Sequence, residues 1–170
     1  AQALVAAGRT VDEPDRRVHS LHSYFLRPGD PTIPILFEVD RIRDGRSFTT
    51  RRVVAIQHGR AIFNLSASFQ VDEPGPDHAM AMPDVPSAES LPTVRERVAE
   101  HADRFSDEAM EWLERTTPLE TRPVHEPHWL SPGKREPVQD IWFRATDRMP
   151  DDPLLHACVV AYASDMSLLD

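Results

Sequence analysis

Ala61-Ile-Phe-Asn-Leu-Ser-Ala-Ser-Phe69 alternates residue by residue: Ala61, Phe63, Leu65, Ala67 and Phe69 face one way, Asn64, Ser66 and Ser68 the other. A period of two marks a β-strand with one face covered and one face wet. Three more strand-like segments precede it. Val18-His-Ser-Leu-His-Ser-Tyr-Phe-Leu26 stops at Arg27-Pro-Gly-Asp-Pro31, and residues 33–43 end at Asp44-Gly45, a dipeptide suited to a tight hairpin with positive φ. Residues 47–57 turn at His58-Gly59. The four predict an antiparallel meander with one covered face.

Residues 1–8 have the composition of the last turns of a helix ended by Gly8. Residues 71–92 are rich in Pro, Asp and Glu with little periodicity, which predicts a mobile linker that buries too little to order itself. Phe105, Ala109, Trp112 and Leu113 fit a short helix capped by Ser106. Residues 119–124 and 138–145 read as new strands. Helix, long strands, linker, short strands and helix hint at two copies of one unit.

The end of the chain carries the residue most suggestive of chemistry. Asp152-Pro153 is a good helix entry, because Asp accepts an orphan N–H and proline has none to lose. Leu154, Cys158, Ala161, Asp165, Leu168 and Leu169 then share one face, and Asp165 alone among them is polar. A carboxylate placed among hydrocarbon either finds donors or shifts its pKa, as catalytic acids and bases do. The competing reading is a carboxylate near the helix end that turns to water or caps the next turn.

Bulk properties narrow the partners. The 170 residues, 40% of them hydrophobic, suffice for a core, with one domain as the default and two small units as the alternative. A net charge of −9 and a pI near 5.3 argue against nucleic acid, and with Lys134 the single lysine there is no polybasic tract for a membrane surface. No apolar run approaches a bilayer span and no signal peptide is evident. One cysteine, Cys158, excludes an intramolecular disulfide and fits the cytoplasm. An opening without Met and a final helix that looks unfinished read as an excerpt of something longer.

Other motifs fail. The scattered glycines form no phosphate-cradling loop, Ser164 sits in no nucleophile elbow, and Cys158 lacks a cation to lower its pKa. His19 and His22, three apart on a strand, point to opposite faces unless a bulge intervenes, so no metal site is expected. Each lines a pocket or is a core histidine bonded to backbone; with Tyr24 of the same strand they are the candidates for substrate binding. His125 and His128, in a loop beside Trp129 and Arg135, suit the surface better than a metal.

Several motifs in series, His19-Ser-Leu-His-Ser-Tyr-Phe-Leu-Arg-Pro-Gly-Asp30, Arg43-Asp-Gly-Arg-Ser-Phe48, Arg51-Arg-Val53, Ala67-Ser-Phe-Gln70 and Ala161-Tyr-Ala-Ser-Asp-Met166, resemble the acyl-CoA thioesterase II family. The resemblance covers nearly everything except the linker. It implies an α+β hotdog fold, an antiparallel sheet wrapped around a central helix, doubled in the complete family member and partial here. On this view residues 1–70 are a first hotdog lacking its start, 71–118 a linker with a short helix, and 119–170 the beginning of a second.

The family hydrolyses fatty acyl-CoA to free acid and coenzyme A without a cofactor, and its catalytic carboxylate falls on Asp165 by the Tyr162-Ala-Ser-Asp165 match. Asp165 would be the base that deprotonates water. The Thr or Ser and the Gln that hold this water in the family come from later strands, beyond Asp170. Acyl-CoA is the implied partner, with homo-oligomers formed through hotdog sheets. Two alternatives stand beside hydrolysis: a non-catalytic acyl-CoA binding or scaffold protein of the same fold, and a hotdog enoyl-CoA hydratase, disfavoured because no Asp and His pair lies near Asp165.

Overall fold

The computed structural model describes residues 1–108, 110 and 118–166. They group into two compact units, one of residues 1–77 and 150–162, the other of the described residues among 78–149 and 163–166.

In the first unit, α1 (Gln2–Gly8) is followed by β1 (Arg16–Phe25), β2 (Leu36–Asp44), β3 (Phe48–Gln57) and β4 (Arg60–Val71), and α3 (Pro153–Ala163) adds its residues up to Tyr162. The strands form one antiparallel sheet in the order β1-β4-β3-β2. The expected meander is therefore corrected at one place: β2, β3 and β4 are joined by hairpins, but β1 pairs with β4 across the sheet. The reason lies in residues 26–35, whose Pro28, Pro31 and Pro34 make a loop rather than a tight turn, leaving β1 free to take the far edge.

Alternation holds on β4, where Leu65, Ala67 and Phe69 are buried, and on β3, where Thr49, Arg51, Val53, Ala55 and Gln57 are buried in turn. Against this face pack Ala3, Leu4 and Ala7 of α1 and Cys158 of α3, with Leu154 and Ala161 partly buried beside them. Gly8 does not end α1 through a left-handed cap, since Arg9 after it keeps right-handed φ and ψ. Its part is close approach: a Cβ there would sit 2.4 Å from Leu154 Cδ1. The hairpin with positive φ is His58-Gly59, at 50° and 69°, where Gln57 pairs with Arg60; Asp44-Gly45 instead opens a longer turn closed by Gly45 N–H donating to Phe48 O at 2.9 Å.

In the second unit, α2 (Val94–Glu100) starts at a capping box in which Thr93 and Glu96 each accept the other's backbone N–H, at 3.1 and 2.7 Å. A two-stranded antiparallel sheet pairs β5 (Leu119–Pro123) with β6 (Ile141–Ala145). The segment expected as a mobile linker is tied to this sheet at its end: Trp142 Nε1 donates to Pro86 O at 3.0 Å, and Arg122 Nη1 donates to the carbonyls of Ala88 and Leu91 at 3.2 and 2.5 Å. Met110 N–H donates to Ser106 O as a first helical turn would require. Ala109, Trp112 and Leu113 of the expected helix lie outside the described residues, as do Leu168 and Leu169.

Candidate functional site

The start of α3 is as the sequence predicts. Asp152 Oδ1 accepts the N–H groups of Leu154 at 2.9 Å and Leu155 at 3.4 Å, and the helix begins at Pro153. Its end is not. The helix stops at Ala163, and Ser164 and Asp165 form a turn closed by Met166 N–H donating to Ala163 O at 3.1 Å. The apolar face therefore holds through Leu154, Cys158 and Ala161 and breaks before Asp165, because the four-residue spacing counts only while the backbone stays helical. Asp165 is exposed, as are Ser164 and Met166. The expectation of a carboxylate buried among hydrocarbon is corrected accordingly.

His19, His22 and Tyr24 are brought to one face of the sheet by a bulge. Val18 lies opposite Phe69 and Ser20 opposite Ser68, so His19 is the extra residue of β1. From Ser20 onward the register sets His22 opposite Ser66 and Tyr24 opposite Asn64, on the polar side of β4. His19 joins them: its Nε2 lies 2.9 Å from Ser68 Oγ, and its ring meets Phe48 edge-on at 5.7 Å. The rings of His22 and Tyr24 stand edge to face at 4.8 Å. All three are exposed, on the face opposite the Leu65-Ala67-Phe69 core. They offer imidazole nitrogens and a phenol to a polar ligand. Among the described residues no three His, Cys, Asp or Glu side chains are arranged to hold a metal ion.

Cys158 is 3% exposed and burial pushes its thiol pKa up, opposite to what a nucleophile needs. His125 and His128 are exposed, and Trp129 packs edge-on against Phe105 at 5.7 Å.

The sequence reading missed the buried polar side chains of β3, Thr49, Arg51 and Gln57, of which the last two tie loops to the sheet. Arg51, completely buried, donates from Nε to Thr10 Oγ1 at 2.9 Å, from Nη2 to Thr10 O at 3.0 Å and to Asp44 Oδ1 at 2.5 Å, and from Nη1 to Arg43 O at 3.1 Å. It fastens the exit of α1 to the β2–β3 hairpin. The guanidinium holds the Asp44 carboxyl below its ordinary range. Gln57 does the same for the loop after β1: it accepts from Asp30 N–H at 2.8 Å and donates to the carbonyls of Asp30 and Ile33 at 2.8 and 2.6 Å. The signal for both was the period of two on β3, which turns Thr49, Arg51, Val53, Ala55 and Gln57 inward regardless of polarity.

Comparison with known proteins supplies the family. Residues 1–70 match the acyl-CoA thioesterase N-terminal domain, and residues 110–170 match the acyl-CoA thioesterase family model. The chain is 41% identical to human acyl-coenzyme A thioesterase 8 over 99% of its own length and 55% of that protein's. It superposes with a TM-score of 0.73 at 44% identity on the crystal structure of an acyl-CoA thioesterase II from Mycobacterium marinum, covering 99% of this chain and 57% of that one. A protein from Alicyclobacillus acidocaldarius, described as having a hot dog fold, is similar in fold alone: TM-score 0.67, 19% identity, 93% of this chain and 55% of that one. The chain thus spans about half the length of the curated relatives it matches. In its architecture, α+β with a hotdog sheet, and in the residues matched on both sides of the linker, the chain belongs to the acyl-CoA thioesterase II family.

Proposed function

We propose that this chain is part of an enzyme that hydrolyses fatty acyl-CoA thioesters to free fatty acid and coenzyme A. The observation that carries the reading is the match of both segments, 1–70 and 110–170, to acyl-CoA thioesterase models. The reading keeps a first hotdog over 1–70, a linker over 71–118 and the beginning of a second hotdog over 119–170; the match over 1–70 supports the first of these, and the match over 110–170 supports a second thioesterase segment.

Asp165 is the base of this proposal. Water attacks the thioester carbonyl carbon while the carboxylate takes its proton; the tetrahedral oxyanion collapses, the C–S bond breaks, and the thiolate of coenzyme A leaves to be protonated. The Tyr162-Ala-Ser-Asp165 motif supports this assignment. In the described residues Asp165 meets water, so the role requires residues outside them to close over the carboxylate and to supply donors for the oxyanion. His19, His22 and Tyr24, gathered on one exposed face, are the substrate-binding residues of this proposal.

Assembly and location complete the reading. β1 and β2 are the edge strands of the sheet, and β2 exposes Leu36 at 59% and Ile42 at 56%, which supports homo-oligomers formed through hotdog sheets. The single cysteine, buried and unpaired, supports a cytoplasmic protein. No helix among the described residues is long and apolar enough to cross a membrane.

The test is release of free thiol from long-chain acyl-CoA by the full-length protein. Turnover at a steady rate is the expected result. Saturable acyl-CoA binding without thiol release would replace hydrolysis by a binding or scaffold role, and a 3-hydroxyacyl-CoA product from enoyl-CoA would replace it by hydration.

A further inference from the structure

Away from the His19–Tyr24 face, the loop after β1 and the β3–β4 hairpin enclose an open cleft of about 390 Å³ whose lining includes Arg27, Asp30, His58, Arg60 and Ile62. Three cation-capable or cationic side chains meet here in a chain of net charge −9. The one carboxylate of the lining does not neutralise them through contact: Asp30 Oδ1 is turned into its own loop, accepting from Thr32 N–H at 2.8 Å and Thr32 Oγ1–H at 2.6 Å. Arg27 is steadied by donating from Nη1 to Ala61 O at 2.6 Å, which leaves its other donors for a ligand. The side chains of Arg60 and His58 are exposed and make no hydrogen bond or ion pair among the described residues, while the Thr32 bonds, with a smaller contribution from nearby His58, hold the Asp30 carboxyl below its ordinary range.

The backbone behind these groups is held at two places. His58 and Gly59 hold positive φ in the two-residue turn, and buried Gln57 clamps the loop that carries Arg27 through its bonds to Asp30 and Ile33. Two planar guanidinium forks and an imidazole beside one cleft suit a multiply charged oxyanion, because each fork offers paired donors.

We propose that this cleft binds phosphoryl groups, and that in the enzyme proposed above these are the phosphates of the coenzyme A moiety. The inference rests on that function for the ligand's identity, but the anion site itself does not.

Calorimetric titration of the full-length protein with coenzyme A, inorganic pyrophosphate and phosphate-free pantetheine decides it, using wild type, Arg60→Glu and Arg60→Lys. Arg60→Glu is expected to weaken coenzyme A at least about tenfold, to abolish pyrophosphate binding and to leave pantetheine unchanged, with Arg60→Lys in between. Rising salt should weaken coenzyme A and not pantetheine. Equal affinity of wild type and Arg60→Glu for coenzyme A overturns the proposal, and so does an equal loss for pantetheine. The two readings fail separately. Arg60-dependent coenzyme A binding without thiol release keeps the cleft and removes the hydrolase, whereas thiol release with an Arg60→Glu KM unchanged for acyl-CoA does the reverse.

Discussion

Replacing Arg51 by Met should cost the first unit about 3 kcal/mol, because the side chain is completely buried and several acceptors lose the donor it supplies. Its partners are the Thr10 hydroxyl and carbonyl, the Arg43 and Thr50 carbonyls, and Asp44. Each part-buried carbonyl that loses its donor costs roughly 1 kcal/mol, while Met recovers some apolar packing. Asp44 adds less, since nearly half its side chain is exposed and water can take over. With a urea dependence of about 2 kcal/mol/M, the midpoint should fall by about 1.5 M. Arg51→Lys should lie nearer Met than wild type, because one ammonium cannot reproduce a fork spanning Thr10, Arg43 and Asp44. Urea unfolding followed by near-ultraviolet circular dichroism measures this. A midpoint for Arg51→Met within about 0.3 M of wild type would refute the claim that Arg51 fastens α1 to the sheet.

Two further outcomes follow from the same packing. Glu96 accepts from Thr93, and Glu120 accepts from Arg122 and then Arg144, and both carboxyls are held below glutamate's ordinary 4.5. A lowered folded-state value means that the folded protein binds the proton less tightly than the unfolded chain. The stabilisation is therefore full above pH about 4.5 and declines as pH falls through the lowered values. Thermal melts from pH about 6 to pH about 3 should show Glu120→Gln losing less stability over that window than wild type, and parallel losses would contradict the assignment. Cys158, buried with its thiol pKa raised, should react with a disulfide reagent at least about a hundredfold more slowly in native protein than in urea, and similar rates would place it outside the core.

The elements were legible in the sequence because their periods are strong. The alternation reappears on β4 from Phe63 to Phe69, broken before it by an irregularity that leaves Ile62 buried, and the Asp152-Pro153 entry reappears at the cap of α3. The pairing of β1 with β4 was not legible, since alternation says which face is covered and nothing about which neighbour lies alongside. The bulge at His19 escaped for a similar reason: it is a property of two paired strands, and it alone sets His19 beside Ser68 on the face of His22 and Tyr24. Asp165 shows the limit of helical counting. Four positions beyond Ala161 is the same face only in a continuing helix, and this one ends at Ala163. Arg51 and Gln57 were hidden by their polarity, although the inward phase of β3 predicted their place.

The central claim is that the carboxylate at position 165 takes the proton from the water that splits the thioester. Steady-state thiol release by the full-length protein, wild type against Asp165→Asn, tests it most directly, with acyl-CoA affinity measured alongside. The account predicts that kcat falls by at least about a hundredfold while acyl-CoA affinity stays within about threefold, as expected when a general base is removed. Turnover of Asp165→Asn equal to wild type would contradict it.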